Sequence, residues 1–297
     1  MLYWLPKPLV GIFSILCYAL NLLFFSILIY LAAFIKIGRP SEKRRRYFEK
    51  TSHFFAKMWA YVNDGLMKLT QKTIWEIDNT DILSSEQWYL LISNHQSWAD
   101  IIILEKVFVR KIPMLKFFLK KELRWLPIVG TSCWVLNFPF MKRYDKAFLE
   151  KHPELKGKDL ETTQKACEIF KATPTTLMNF VEGTRFTEKK RQMQDSPFRY
   201  LLKPKAGGVA FTLSAMNGML KELINVTIIY HGEKRSAWDF FCGRIEKISI
   251  KFEVTPIGPE LLGAYQDDPH FRLYFQHWLN DLWLQKEKLI HEVLTPQ

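Results

Sequence analysis

The strongest constraint on this chain is an uncharged run, since no residue from Leu9 to Ile35 carries a formal charge. About 20 consecutive apolar residues are enough to cross the hydrocarbon core of a bilayer as a helix. A signal peptide would be shorter and would end at a small-residue cleavage site. This run instead continues to Ile37 and meets Lys36, Arg39, Lys43, Arg44, Arg45 and Arg46. Residues 9–37 are therefore expected to form a retained membrane helix. Only Lys7 and the amino terminus carry positive charge ahead of it, so the lysine and arginine bias places the downstream domain on the cytoplasmic side. Between Tyr47 and Lys72, Phe48, Phe54, Phe55, Met58, Trp59, Val62 and Leu66 recur near helical spacing. That spacing predicts an amphipathic helix over 47–70, lying in the headgroup plane or packed on the domain that follows. Residues 1–70 thus read as a membrane anchor and 71–297 as the domain it carries.

After Gln71 short apolar runs alternate with helical stretches, which argues for an α/β domain. Strands are expected at Trp88–Ser93, Ser132–Phe140, Thr176–Phe180, Leu223–Tyr230 and Ile248–Val254. Helices are expected at Trp98–Arg110, capped by Asn94 or Ser97, and at Leu160–Ala172. Asp268 and Pro269 look like the cap and first residue of a last, core-packing helix that carries Phe271, Phe275, Trp278, Leu282 and Trp283. The balance of 42 Lys+Arg against 30 Asp+Glu gives +12, which favours an anionic partner. Much of that excess lies at 36–50 beside the apolar run, where anionic membrane lipid would attract it. No zinc-finger, helix-turn-helix or RNA-binding signature points to nucleic acid. Cys17, Cys133, Cys167 and Cys242 are scattered, which excludes a short-spaced metal motif and fits a reducing compartment. Asn225-Val226-Thr227 forms a glycosylation sequon inside a strand-like run and is read as chance.

Two clusters carry chemistry. In the first, His95 and Asp100 stand five positions apart, which a regular helix would leave on different faces but a turn entering a helix can bring together. A carboxylate on one imidazole nitrogen fixes the tautomer and leaves the other nitrogen free to take a hydroxyl proton. The second, Phe180-Val181-Glu182-Gly183-Thr184-Arg185-Phe186-Thr187, follows directly on an expected strand. There a glycine allows close backbone approach to a ligand, and an arginine fork can hold phosphate through two parallel hydrogen bonds.

Together the clusters resemble conserved blocks of the glycerolipid acyltransferase family, with Asn94-His95-Gln96-Ser97-Trp98-Ala99-Asp100 similar to its first block and Glu182-Gly183-Thr184-Arg185 to its third. Lys120-Lys121-Glu122-Leu123, Pro127, Gly130 and Phe140-Met141-Lys142-Arg143-Tyr144-Asp145 extend the resemblance, which spans roughly residues 70 to 255. The string from Phe180 to Lys190 looks most like a branch with bacterial inner-membrane acyltransferases and lysophospholipid and lysocardiolipin acyltransferases. Val181 and Asn225-Val226-Thr227 depart from it where many members carry proline, which suggests a subgroup whose acceptor differs from simple lysophosphatidic acid.

The resemblance implies a mostly parallel sheet flanked by helices, and attachment to a bacterial inner membrane. It implies acyl transfer from acyl-CoA or acyl carrier protein to the free hydroxyl of a lysophospholipid, with 1-acyl-sn-glycerol-3-phosphate the leading acceptor. His95 would be the general base and Asp100 its orienting partner. Arg143 and Arg185 would hold the acceptor phosphate, with Glu182, Gly183 and Thr184 shaping that pocket and Lys121 a further phosphate candidate. No metal or cofactor is implied, because the thioester donor supplies its own leaving group. Lys203, Lys205, Gly207 and Gly208 resemble another family segment without an evident role, and Lys189 and Lys190 read as surface lysines. Two competing readings are a hydrolase using Ser97 or Ser93, and a non-enzymatic protein that binds anionic membrane. The first lacks a glycine-flanked serine elbow.

Overall fold

The computed structural model describes residues 2, 4–33, 42–141, 158–171 and 173–295. Helix α1, Lys7–Ala33, and helix α2, Glu42–Thr70, occupy the positions of the two expected anchor helices. They pack antiparallel, since Tyr18 and Asn21 meet the Trp59–Asn63 turn of α2 while Ile29 packs with Phe48. Asn21 explains the one amide within the apolar run. Its Nδ2 donates to Trp59 O at 3.0 Å and to Asn63 Oδ1 at 2.8 Å, so a buried polar pair sets the register of an otherwise interchangeable apolar face.

The remaining elements form the α/β domain. Its strands are β1 Ile74–Ile77, β2 Tyr89–Ser93, β3 Leu115–Lys116, β4 Leu119–Lys120, β5 Phe140–Met141, β6 Thr176–Phe180, β7 Glu222–His231 and β8 Lys247–Pro256. Its helices are α3 Asp100–Phe108, α4 Val129–Val135, α5 Lys158–Cys167, α6 Glu188–Met193, α7 Ala206–Met216, α8 Ala237–Phe241 and α9 Pro269–Leu294. Strand order in the main sheet is β1-β8-β7-β2-β6-β3, and every neighbouring pair is parallel except β7 with β8. A parallel strand covered on both faces must be apolar throughout, and β2 is buried at all five positions. Leu90 and Ile92 join the core under α7 and α9, whereas Tyr89 and Leu91 join the one under α3. The last helix is the core helix the spacing predicts. Asp268 caps it by accepting from His270 N and Phe271 N, and Phe275, Leu279, Trp283 and Ile290 are buried against the sheet.

The expected strand at Ser132–Phe140 is instead helix α4 followed, after a turn, by β5. A short apolar run cannot tell a strand from a buried helical turn by periodicity. Here the packing partner decides: Ser132 Oγ bonds Ser26 Oγ at 3.0 Å, and Val135 and Leu136 fill the space beside Ile29 and Ala32 of α1. The helix expected over Leu160–Ala172 is regular only as α5, with a 3-10 turn at Glu168–Lys171 that buries Phe170.

Helix α1 is long and apolar enough to cross a membrane. Its contacts show how it sits on the domain. Near its start Lys7 Nζ donates to Gly243 O at 3.1 Å, and Gly11 approaches so closely that a Cβ there would lie 2.5 Å from Cys242 Sγ. Near its end Tyr30 Oη donates to Ile128 O at 2.7 Å. A helix of this length spans about 40 Å, so α1 is fastened to the same domain at both ends. Leu9, Ile12, Leu16, Leu20, Phe24 and Leu31 are left facing outward.

Glu105, on the helix that begins with Asp100, provides a test of burial. Desolvation raises its carboxyl from 4.5 to about 8. Between those values the folded chain holds a proton that the unfolded chain has released, so stability falls as pH rises from about 4.5 to 8. Glu105→Gln removes that slope. Urea unfolding should find the variant's stability, relative to wild type, about 2–4 kcal/mol better at pH 8.5 than at pH 5; an equal difference at both pH values would contradict a neutral, buried Glu105.

Candidate active site

Ligand sites in open α/β sheets form beyond the carboxyl ends of the parallel strands, and the first cluster lies there. Strand β2 ends at Ser93, and the turn 94–99 leads into α3, whose first residue is Asp100. Asn94 does not cap the helix. Its amide pairs with both backbone groups of Ile228, each at 2.9 Å, and so continues the β2–β7 ladder one step past the end of the strand. The helix cap is Ala99, which makes no side-chain bond, and Ser97 Oγ accepts only from Ala99 N at 3.3 Å. The turn is organised instead by Asp100, which reaches back into it.

His95 Nδ1 lies 2.8 Å from Asp100 Oδ2, and that oxygen also accepts from Gln96 N at 2.7 Å and Ser97 N at 2.9 Å. Asp100 Oδ1 accepts from Tyr230 Oη at 2.6 Å. The carboxylate is fully buried, and the His95 side chain is 12% exposed. Every donor around Asp100 faces an acceptor, so His95 carries its proton on Nδ1 and leaves Nε2 free to receive another. Burial first, and then the Asp100 charge, push the Tyr230 hydroxyl well above its usual range, which keeps it a donor. Phe180 stacks on the imidazole at 3.8 Å between ring centres and 12° between planes. Parallel pairing of Ser93 with Phe180 places that ring there.

The second cluster begins at the end of β6, next to the first. Gly183 has φ +68°, a left-handed conformation that side chains resist, so the loop turns sharply there. Lys205 lies over it, its Nζ 3.7 Å from where a Cβ would stand. Phe186 N donates to His95 O at 2.7 Å and ties the loop to the first cluster. Arg185 lays its guanidinium over the Trp98 ring at 4.2 Å, and among the described residues it has no ion-pair partner. Thr184 faces Lys190, whose Nζ donates to Thr184 Oγ1 at 2.6 Å and Arg185 O at 3.1 Å. Lys190 is therefore a clamp on the loop, not the free surface lysine its neighbours suggest.

Glu182 is part of the loop but fully buried, so it supports the loop from beneath and does not line an open pocket. Its carboxyl is pushed well above the usual range by burial, which the Leu202 backbone and the Lys286 charge partly offset. Neither oxygen has a hydrogen-bond partner of good geometry, and the same is true of the Trp283 indole nitrogen beside it. Lys286, also buried, donates to Val226 O at 2.5 Å and Thr227 Oγ1 at 2.9 Å. Lys121 is exposed at the start of a 3-10 turn and has no contact with the His95–Asp100 pair. Arg143 lies outside the described residues. Tyr230, Phe180 and Lys286 are contributions that sequence spacing does not reveal. Among the described residues no group of three His, Cys, Asp or Glu side chains could hold a metal ion.

A buried imidazole–carboxylate pair beside an arginine with no ion-pair partner among the described residues suits proton abstraction next to an anionic group. The family model described as Acyltransferase matches residues 75–230, and the chain belongs to that family. Curated relatives include the 1-acyl-sn-glycerol-3-phosphate acyltransferase epsilon of Mus musculus, 19% identical over 71% of this chain and 60% of its own length. The 1-acyl-sn-glycerol-3-phosphate acyltransferase 3 of Arabidopsis thaliana is 25% identical over 72% of this chain and 55% of its own. The 2-acyl-1-lysophosphatidylinositol acyltransferase of Saccharomyces cerevisiae is 25% identical over 67% and 59%. The chain thus spans little more than half the length of these relatives. The solved 1-acyl-sn-glycerophosphate acyltransferase PlsC of Thermotoga maritima has the same fold, with TM-score 0.54 and 16% identity over 93% of this chain and 94% of its own.

Tyr230→Phe removes one donor from Asp100 together with the hydroxyl's contact to the Ser97 side chain. A hydrogen bond to a charged group contributes about 1.5–3 kcal/mol, and loss of part of it in orienting His95 predicts a fall in kcat of about tenfold. Neither substrate's KM should move. An unchanged kcat would show that Tyr230 does not hold the pair in its working geometry.

Proposed function

We propose that the protein transfers a fatty acyl chain from acyl-CoA or an acyl carrier protein thioester to the free hydroxyl of a lysophospholipid, with 1-acyl-sn-glycerol-3-phosphate the leading acceptor. The observation that carries this reading is the 2.8 Å His95–Asp100 pair lying beside an arginine that has no carboxylate partner among the described residues. The acceptor oxygen attacks the thioester carbonyl carbon while His95 Nε2 takes its proton, and Asp100 stabilises the resulting imidazolium. Collapse of the tetrahedral intermediate breaks the C–S bond, and the imidazolium returns the proton to the departing thiolate. One C–O bond forms, one C–S bond breaks, and His95 ends as it began. Two relatives with 1-acyl-sn-glycerol-3-phosphate in their names support this acceptor. The yeast lysophosphatidylinositol enzyme keeps a phosphodiester acceptor as the alternative.

Membrane attachment follows from the outward apolar face of α1. With both ends of that helix held by the domain, the natural mode is one in which this face lies in a single leaflet, on the cytoplasmic side of what the resemblance suggests is a bacterial inner membrane. The chain should fractionate with membranes. The triple variant Leu16→Ser, Leu20→Ser, Phe24→Ser should move most of it to the soluble fraction, and undiminished sedimentation with membranes would exclude this face as the anchor.

His95→Ala should lower kcat at least a hundredfold with folding intact, because a general base typically contributes 10² to 10⁴; more than about a tenth of wild-type turnover would rule the role out. Arg185→Lys should be nearly as harmful as Arg185→Ala, with the loss in acceptor kcat/KM, since an ammonium cannot replace a stacked, bidentate guanidinium. Lys189→Gln is the matched charge control, and Lys190 is unsuitable because it clamps the loop.

A further inference from the structure

Strand β7 runs parallel to β2, so the residues that follow it emerge at the same end of the sheet as His95. In the loop between β7 and α8, Arg235 turns back over the active-site turn. Its Nη1 donates to Gln96 Oε1 at 3.2 Å, and its guanidinium lies 4.8 Å from the Phe186 ring centre. Gln96 is held from its other end by Nε2 donating to Tyr200 O at 2.9 Å. Arg235 is half-buried, yet among the described residues no carboxylate pairs with it. The acid that influences it, Glu188, is gripped by Arg191 at 2.9 and 2.5 Å.

A guanidinium has five N–H donors, and among the described residues only one of these has a protein acceptor. Removing a cation partly from water without an opposing charge is costly, and a ligand anion would offset that cost. Arg185 is likewise half-buried and is stacked on Trp98 of the same turn. Two arginines with no ion-pair partner among the described residues therefore contact Gln96 and Trp98 of the turn that carries His95. A phosphomonoester carries close to two negative charges near neutral pH, whereas a phosphodiester carries one.

The geometry points to Arg235 as a second phosphate-binding residue that, with Arg185, selects a phosphomonoester over a phosphodiester, which rests on the acyl-transfer assignment of His95 and Arg185 made above. The phosphate it grips is that of the acceptor headgroup or one of those on an acyl-CoA donor. The chemistry is the same, and kinetics separate the two.

Wild type, Arg235→Gln, Arg235→Lys and the exposed neighbour Lys234→Gln should be assayed with lysophosphatidic acid and lysophosphatidylglycerol, using acyl-CoA and the phosphate-free donor acyl-N-acetylcysteamine. Arg235→Gln should cut kcat/KM for the phosphomonoester about 10- to 100-fold, the range expected for a charged hydrogen bond, mainly through KM. The phosphodiester should lose less than about threefold, Arg235→Lys should recover only part of the loss, and Lys234→Gln should change nothing. A loss seen with acyl-CoA and absent with acyl-N-acetylcysteamine assigns the grip to the donor's phosphates. An equal fall in kcat for every acceptor and donor would make Arg235 a strut for Gln96 and overturn the proposal, as would no change.

The acceptor reading fails separately, if wild type prefers lysophosphatidylglycerol; the effect of Arg235→Gln on KM for that phosphate then still decides the role of Arg235. Calorimetric binding of glycerol 3-phosphate to the full chain in detergent needs no turnover. It should weaken tenfold or more in Arg235→Gln if the grip is on the acceptor headgroup, and unaltered binding together with unaltered acyl-CoA kinetics would reject the assignment.

Discussion

A carboxylate with no exposure to water persists only where donors surround it, and Asp100 has four from two parts of the fold. Two are backbone N–H groups of the turn, one is the base itself, and the fourth crosses from β7 through Tyr230. Left unpaired, a buried charge of this kind costs several kcal/mol. The turn, the first residue of α3 and the end of β7 are therefore tied to one another by the need to satisfy it. The same arrangement that makes the carboxylate tolerable in the core sets the tautomer and direction of His95, so the stability of the turn and the orientation of that imidazole have one origin.

What spacing could reveal was local. His95 and Asp100 meet within a single turn of chain, and the pairing needs no knowledge of the sheet. Phe180 could be placed at a strand end, but its stack on the imidazole depends on β2 and β6 lying side by side in register. Tyr230 and Arg235 stand at or just beyond the end of β7, 130 and 139 positions from the groups they bond, and no periodicity encodes such a meeting. Asn94 illustrates the opposite error. Its chemistry suits a cap, but the nearest unpaired backbone groups after folding were those of Ile228, and the amide went there. The misread strand at Ser132–Phe140 has a similar cause, because helix α1 supplies a packing surface that local pattern does not contain.

Helix α1 carries two demands along one sequence. One face must fit α2 and the domain, which accounts for Gly11 where the backbone closes on Cys242 and for Asn21 where the amide pair sets register. The other face is unbroken apolar surface. A helix that projected away from the domain would need neither the close approach at Gly11 nor the bond from Tyr30 to Ile128. These contacts place the outward apolar residues alongside the α/β domain.

The charge beneath the arginine-bearing loop completes the electrostatics. A carboxylate at Glu182 would oppose Arg185, three positions on, and weaken any grip on phosphate. Burial pushes that carboxyl toward its neutral form, and burial lowers Lys286, behind it, to about 7. Both groups are thereby drawn toward neutrality, and each helps to hold the other's charged form when it occurs. The space under the loop consequently contributes little net field, while Arg185 and Arg235 lie half-buried above it with no ion-pair partner among the described residues. An acidic residue in the loop is thus compatible with anion recognition because its side chain turns inward, to the C-terminal helix, rather than toward the site.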